Sequence, residues 1–155
     1  MPHSLSIAHL TALPHSPPEL IRIAAAAGCQ GVGLRLLPAT PGGAAYPLMH
    51  DAAMLRETQA ALADTGLRVL DLEIVRIGAG FDPAPLRAMF EIGALLGARH
   101  LLVAGDDPDE ARLTASFAAL CELAHGYGLT ADLECMPWTQ VPTLRCARRI
   151  AEAVA

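Results

Sequence analysis

Four carboxylates stand out for their spacing. Asp71-Leu72-Glu73 and Asp132-Leu133-Glu134 each place two acids two residues apart in an apolar stretch. In a β-strand this spacing puts both acids on one face and the intervening leucine on the other. Acids at the C-terminal ends of parallel strands sit where α/β proteins assemble active sites, and there they can bind a metal or move a proton. Glu134 ends its stretch and is followed by Cys135-Met136-Pro137-Trp138-Thr139, a loop able to wall a pocket. The alternative for Glu73 is a structural pairing with nearby Arg68 or Arg76. For Asp71 and Asp132, deeper in their strands, it is buried hydrogen bonding.

The six histidines give no close metal-ligand spacing such as H-E-x-x-H. His9, at the end of the first predicted strand, is the best placed for a substrate contact. His3 and His15 read as exposed loop residues, His50 as a cap or lid residue, and His125 as a cation at a helix C-terminus. His100 opens a strand at the opposite end and reads as structural. No Gly-x-Ser-x-Gly elbow is present, and no cysteine lies in a nucleophile motif.

Repeated βα units must position these residues. Helix-like stretches end at Gly28, Gly66, Gly97 and Gly128, which lie 31 to 38 residues apart, and each is followed by an apolar strand. Glycine just past a helix supplies the left-handed turn, and the interval is that of a βα unit. The predicted strands are 5–10, 32–37, 68–75, 100–104 and 130–136. The predicted helices are 17–27, 51–64 with Asp51 as N-cap, 83–96, 109–125 and 143–154. Strands alternating with helices imply a parallel sheet, either open and doubly wound or an arc of a TIM barrel. Gly31-Val-Gly33-Leu-Arg-Leu36 has two of the three dinucleotide-fingerprint glycines and opens a strand, which argues against nucleotide binding.

Composition narrows the chemistry. The chain has 155 residues, 53% of them hydrophobic and 17% charged. That suits one domain with an extensive core and falls short of the ~250 residues of a whole eight-stranded barrel. Every basic residue is arginine. Schiff-base lysine chemistry and a Walker lysine are therefore excluded. A net charge of -5 argues against a nucleic-acid face, and the cluster Arg145, Arg148 and Arg149 reads as a solvated helix end. No apolar run is long enough for a membrane span. Cys29, Cys121, Cys135 and Cys146 form no C-x-x-C pair, and with no signal-peptide core they are read as reduced thiols of a cytoplasmic protein.

Three segments carry a resemblance: Gly66-Leu-Arg-Val-Leu-Asp-Leu-Glu73, Ala98-Arg-His-Leu-Leu-Val-Ala-Gly-Asp-Asp107 and Gly128-Leu-Thr-Ala-Asp-Leu-Glu-Cys-Met-Pro-Trp-Thr139. The chain resembles the sugar phosphate isomerases/epimerases of the xylose-isomerase-like TIM barrels, as the amino-terminal five of eight βα units. The resemblance implies an α/β chain of parallel (β/α) repeats, one incomplete barrel domain over 1–155. It also implies a divalent metal ion (Mn, Mg, Co or Zn) at the barrel mouth and a sugar-like small-molecule substrate. Glu134 matches the first metal ligand and a proton-shuttling glutamate. His9, Arg35, Glu73, Met136 and Trp138 would shape the pocket. The later ligands would lie beyond Ala155, so the chain by itself is expected to be inactive. Gly33 departs from relatives that often carry a glutamate on the second strand. A lyase or dehydratase of the same fold, and a non-catalytic partial barrel that binds a ligand or self-associates through its open edges, are the alternatives.

Overall fold

A computed structural model describes residues 4–154, so His3 lies outside the described residues. Five parallel strands form one sheet in the order of the chain: β1 (Ser6–Ile7), β2 (Gly31–Arg35), β3 (Arg68–Ile77), β4 (His100–Gly105) and β5 (Thr130–Glu134). The crossovers are α1 (Pro17–Ala26), α2 (Ala52–Thr65), α3 (Arg87–Leu96) and α4 (Glu110–His125), and α5 (Leu144–Glu152) follows β5. The sheet is not closed, and β1 and β5 are its edges. Among the described residues no helix is long and apolar enough to cross a membrane.

Local chemistry explains the elements. Gly28, Gly66, Gly97 and Gly128 all have positive φ, between 70° and 78°, as the repeat predicts. Asp51 caps α2 by accepting from the N–H groups of Ala53 and Met54. Ser16 and Glu19 form a capping box on α1, with Pro17 and Pro18 in its first turn. The outward row Val32, Leu34, Val69, Leu72, Val75, Leu101 and Val103 packs against Leu20, Ile21, Phe90, Leu113, Phe117 and Leu120 of the helices. A fully buried leucine of this kind contributes about 1.5–3 kcal/mol.

Several boundaries differ from the sequence reading. β1 stops at Ile7 instead of Leu10, because the chain turns into a 3-10 helix at His9–Ala12. The His9 N–H donates to the Glu73 carboxylate instead of continuing the strand ladder. β3 runs on to Ile77. α3 begins at Arg87, after a separate 3-10 turn at Ala84–Leu86 between Pro83 and the helix. β5 stops at Glu134 instead of Met136, whose N–H bonds to the Val141 carbonyl of the returning loop.

Candidate active site at the strand ends

Alternation places Gly33 and Arg35 of β2, Asp71 and Glu73 of β3, and Asp132 and Glu134 of β5 on the face away from the helices. Register aligns Gly33 with Asp71, Arg35 with Glu73, and Ala104 with Glu134. Two irregularities in β3 adjust this row. The partner of β2 jumps from Val69 to Asp71 between Val32 and Gly33, and a second shift separates Leu72 from Val75 against β4. The second shift brings Ile74 onto the inner face beside Glu73, where it forms a small apolar floor with Ala104, Met136, Ala39 and Leu102.

Glu73 is buried and both of its oxygens are engaged. Oε2 accepts from Arg35 Nε at 3.0 Å and from Arg35 Nη2 at 2.6 Å, while Oε1 accepts from the His9 N–H at 2.9 Å. The expected partners Arg68 and Arg76 are not used. Arg76 instead binds Asp106 and the Ala39 carbonyl. The reason is register: in the parallel sheet Arg35 lies level with Glu73, although it is far away in sequence.

His9 has 0% exposure. Its Nδ1 accepts from the Arg35 N–H at 2.9 Å, its Nε2 lies 2.9 Å from the His15 carbonyl, and its ring stacks on Tyr46 at 5.0 Å. The expected substrate contact through this side chain has no open surface here; the residue ties β1, β2 and β3 together from below the mouth. Burial holds its pKa below the ordinary histidine value, against opposing contributions from the His15 carbonyl and Glu73.

Asp71 is half-buried, and its pKa is pushed up to about 6, first by burial and then by the Glu73 charge. A raised carboxylate pKa adds stability that is complete below the unfolded value of 3.8 and is lost as pH rises through about 6. Asp71→Asn should therefore stabilise the chain at neutral pH, by about 1–2 kcal/mol once its partial solvent contact is allowed for. Urea denaturation near neutral pH and again near pH 4 checks this: the gain should vanish at the lower pH.

Glu134 is exposed at the end of β5, where no ion pair engages it among the described residues. Met136 is buried in the apolar floor next to it. Trp138 stands 78% exposed, outside any wall formed by the described residues. Asp132 is not buried as expected, because β5 is a sheet edge. It is half-exposed in the middle of β5 and meets His100 Nδ1 at 3.1 Å and Thr130 Oγ1 at 2.9 Å, two residues that open their strands. His100 opens β4, where its Nδ1 also meets Thr130 Oγ1 at 2.9 Å. The four cysteines are free.

The structure thus brings Arg35, Glu73 and His9 into one buried network and leaves Glu134 exposed near the mouth, above the buried Met136. Tyr46 is the residue of this network that sequence spacing does not mark. Tyr46 sits in an irregular loop with no periodic signal, whereas Asp71 was visible through its spacing to Glu73.

No family model matches the sequence, and no curated protein matches it. Solved structures do match. D-psicose 3-epimerase, solved in the presence of D-fructose, superposes with a TM-score of 0.75 at 12% identity, over 99% of this chain and 60% of that one. The 3-keto-D-glucoside 4-epimerase YcjR from E. coli gives 0.72 at 17% identity, over 99% and 65%. The IOLI protein with a bound zinc atom gives 0.73 at 17% identity, over 98% and 59%. The chain has the fold of the xylose-isomerase-like TIM barrels and spans about three-fifths of the length of these three structures.

Proposed function

We propose that the chain forms the first five units of a metal-dependent isomerase or epimerase barrel acting on a sugar, sugar phosphate or related hydroxy-carbonyl compound. Glu134 carries the reading: it is an accessible, unpaired carboxylate at the C-terminal end of a parallel strand, on a fold whose neighbours include two sugar epimerases. In this reading Glu134 takes the proton from the carbon beside the carbonyl, a role that positioned carboxylates perform with rate effects of about 10²–10⁴. Met136 and Ile74 provide an apolar floor under the substrate's carbon skeleton. Arg35, Glu73 and His9 hold the ends of β1–β3 at fixed height, and Trp138 is available to stack on a sugar face.

A divalent metal, if bound, would supply Lewis-acid stabilisation of developing negative charge, and Glu134 is the residue of this chain that would ligate it. Among the described residues no group of three or more His, Cys, Asp or Glu is arranged to hold one. The residues present do not make a complete metal site; Glu134 is a single ligand. Titration with Mn²⁺ or Zn²⁺ should show only weak binding, on the order of millimolar, and Glu134→Gln should remove it. Tight binding by this chain would contradict the single-ligand assignment.

Product analysis on a panel of ketoses and keto-acids tests the reaction class in a full barrel that carries this chain as its first units. Epimeric or isomeric products support the reading. Loss of water, visible as an ultraviolet-absorbing enone, would show a lyase or dehydratase instead. A second reading rests on a different observation: a groove of about 720 Å³ between α4 and α5 over β5 is lined by Phe117, Leu129, Leu133, Leu144 and Ala147. An open sheet edge beside an apolar groove suits a partial barrel that self-associates. Sedimentation velocity separates the two, since self-association makes the sedimentation coefficient rise with protein concentration.

A further inference from the structure

We propose that His9 is an acid-sensitive latch on the mouth of the strands. In its neutral form it holds the 9–16 segment and the loop 38–50 against the ends of β2 and β3, and a proton on Nδ1 releases them.

The geometry fixes one tautomer. Nδ1 accepts from the Arg35 N–H, so the ring hydrogen sits on Nε2 and donates to the His15 carbonyl. A second proton can enter only at Nδ1, where it would face the Arg35 N–H, donor against donor. That bond must then break, and the backbone of β2 loses its tie to the ring. The ring also seats the loop. Tyr46 stacks on it within 3° of parallel, donates its hydroxyl to the Leu13 carbonyl at 3.0 Å, and donates its N–H to the Arg35 carbonyl at 2.8 Å. One side chain thus joins the turn after β1, the end of β2 and the loop leading to α2.

The charged and titratable groups facing the ring are Glu73 from β3, Arg35 from β2 and the phenol of Tyr46 from the loop; on its own segment it meets the His15 carbonyl. Glu73 and the carbonyl favour the imidazolium, and Arg35 opposes it. Burial opposes it most, so the folded pKa is lowered. A lowered histidine pKa makes the neutral latch fully effective above the unfolded value of 6.5, and its contribution is lost as pH falls through the folded value. Asp71, behind Glu73, works with the opposite sign, since acid relieves its repulsion. Loosening confined to the latched segments is therefore distinct from general acid unfolding.

Hydrogen–deuterium exchange of the full chain, corrected for the intrinsic pH dependence, tests the latch. As pH falls from about 7.5 to about 5, amides in 9–16 and 38–50 should lose protection while α4 keeps its own. His9→Gln offers a donor and an acceptor but binds no proton, so its exchange should be independent of pH in these segments. Asp71→Asn should keep the wild-type response. Unchanged protection in the wild type, or the same acid response in His9→Gln, overturns the proposal. Should His9→Gln not fold, an NMR titration of the wild-type ring decides. A midpoint below 6.5 that coincides with release supports the latch, and one at or above 6.5 overturns it.

Discussion

Truncating Glu73 to Ala should destabilise the chain by about 3–5 kcal/mol, the cost of leaving one member of a buried ion pair alone. Arg35 would keep its charge in a nearly buried position with no carboxylate to receive Nε and Nη2, and the His9 N–H would lose its acceptor. Chemical denaturation followed by circular dichroism measures the loss. The double variant Arg35→Met/Glu73→Met separates the pair from the site: replacing both charges with apolar groups of similar length should recover much of the stability. If Glu73→Ala alone costs under about 1 kcal/mol, the pair is solvated and the network does not fix the strand ends.

Gly33→Ala is expected to cost about 1–3 kcal/mol although it adds one methyl group. A Cβ at this position would lie 2.5 Å from Asp71 Oδ1 and 2.9 Å from Glu73 Oε1. Both carboxylates would have to move, and Glu73 cannot do so without disturbing Arg35 and His9. Gly33→Ala should lower the denaturation midpoint. An unchanged midpoint would mean that the inner face is looser than its register implies.

Most of the fold was legible because its signals are periodic. The four helix-ending glycines and the Asp51 cap each depend on local chemistry, and each appears where that chemistry requires. Boundaries failed where a tertiary partner took over a backbone group. Glu73 captures the His9 N–H and ends β1, and Val141 captures the Met136 N–H and ends β5. The partner of Glu73 was misread because Arg68 and Arg76 are near in sequence, whereas a parallel sheet makes Arg35 near in space. Asp132 was expected to be buried, as an interior strand would require, but β5 is an edge. Nothing in the spacing of His9 disclosed that its ring would be enclosed, since burial there depends on Tyr46 and on β2 and β3 together.

Glu134 remains the accessible carboxylate at the strand ends, and the functional account depends on it. The most direct measurement is solvent deuterium exchange at the carbon beside the carbonyl of a ketose. It is followed by NMR in a full barrel carrying this chain as its first five units, with a divalent metal supplied. Deuterium should enter at that carbon, and Glu134→Gln should slow its entry by at least about 100-fold with the fold intact. Exchange that proceeds equally fast in Glu134→Gln would contradict the assignment of Glu134 and, with it, the proposed reaction.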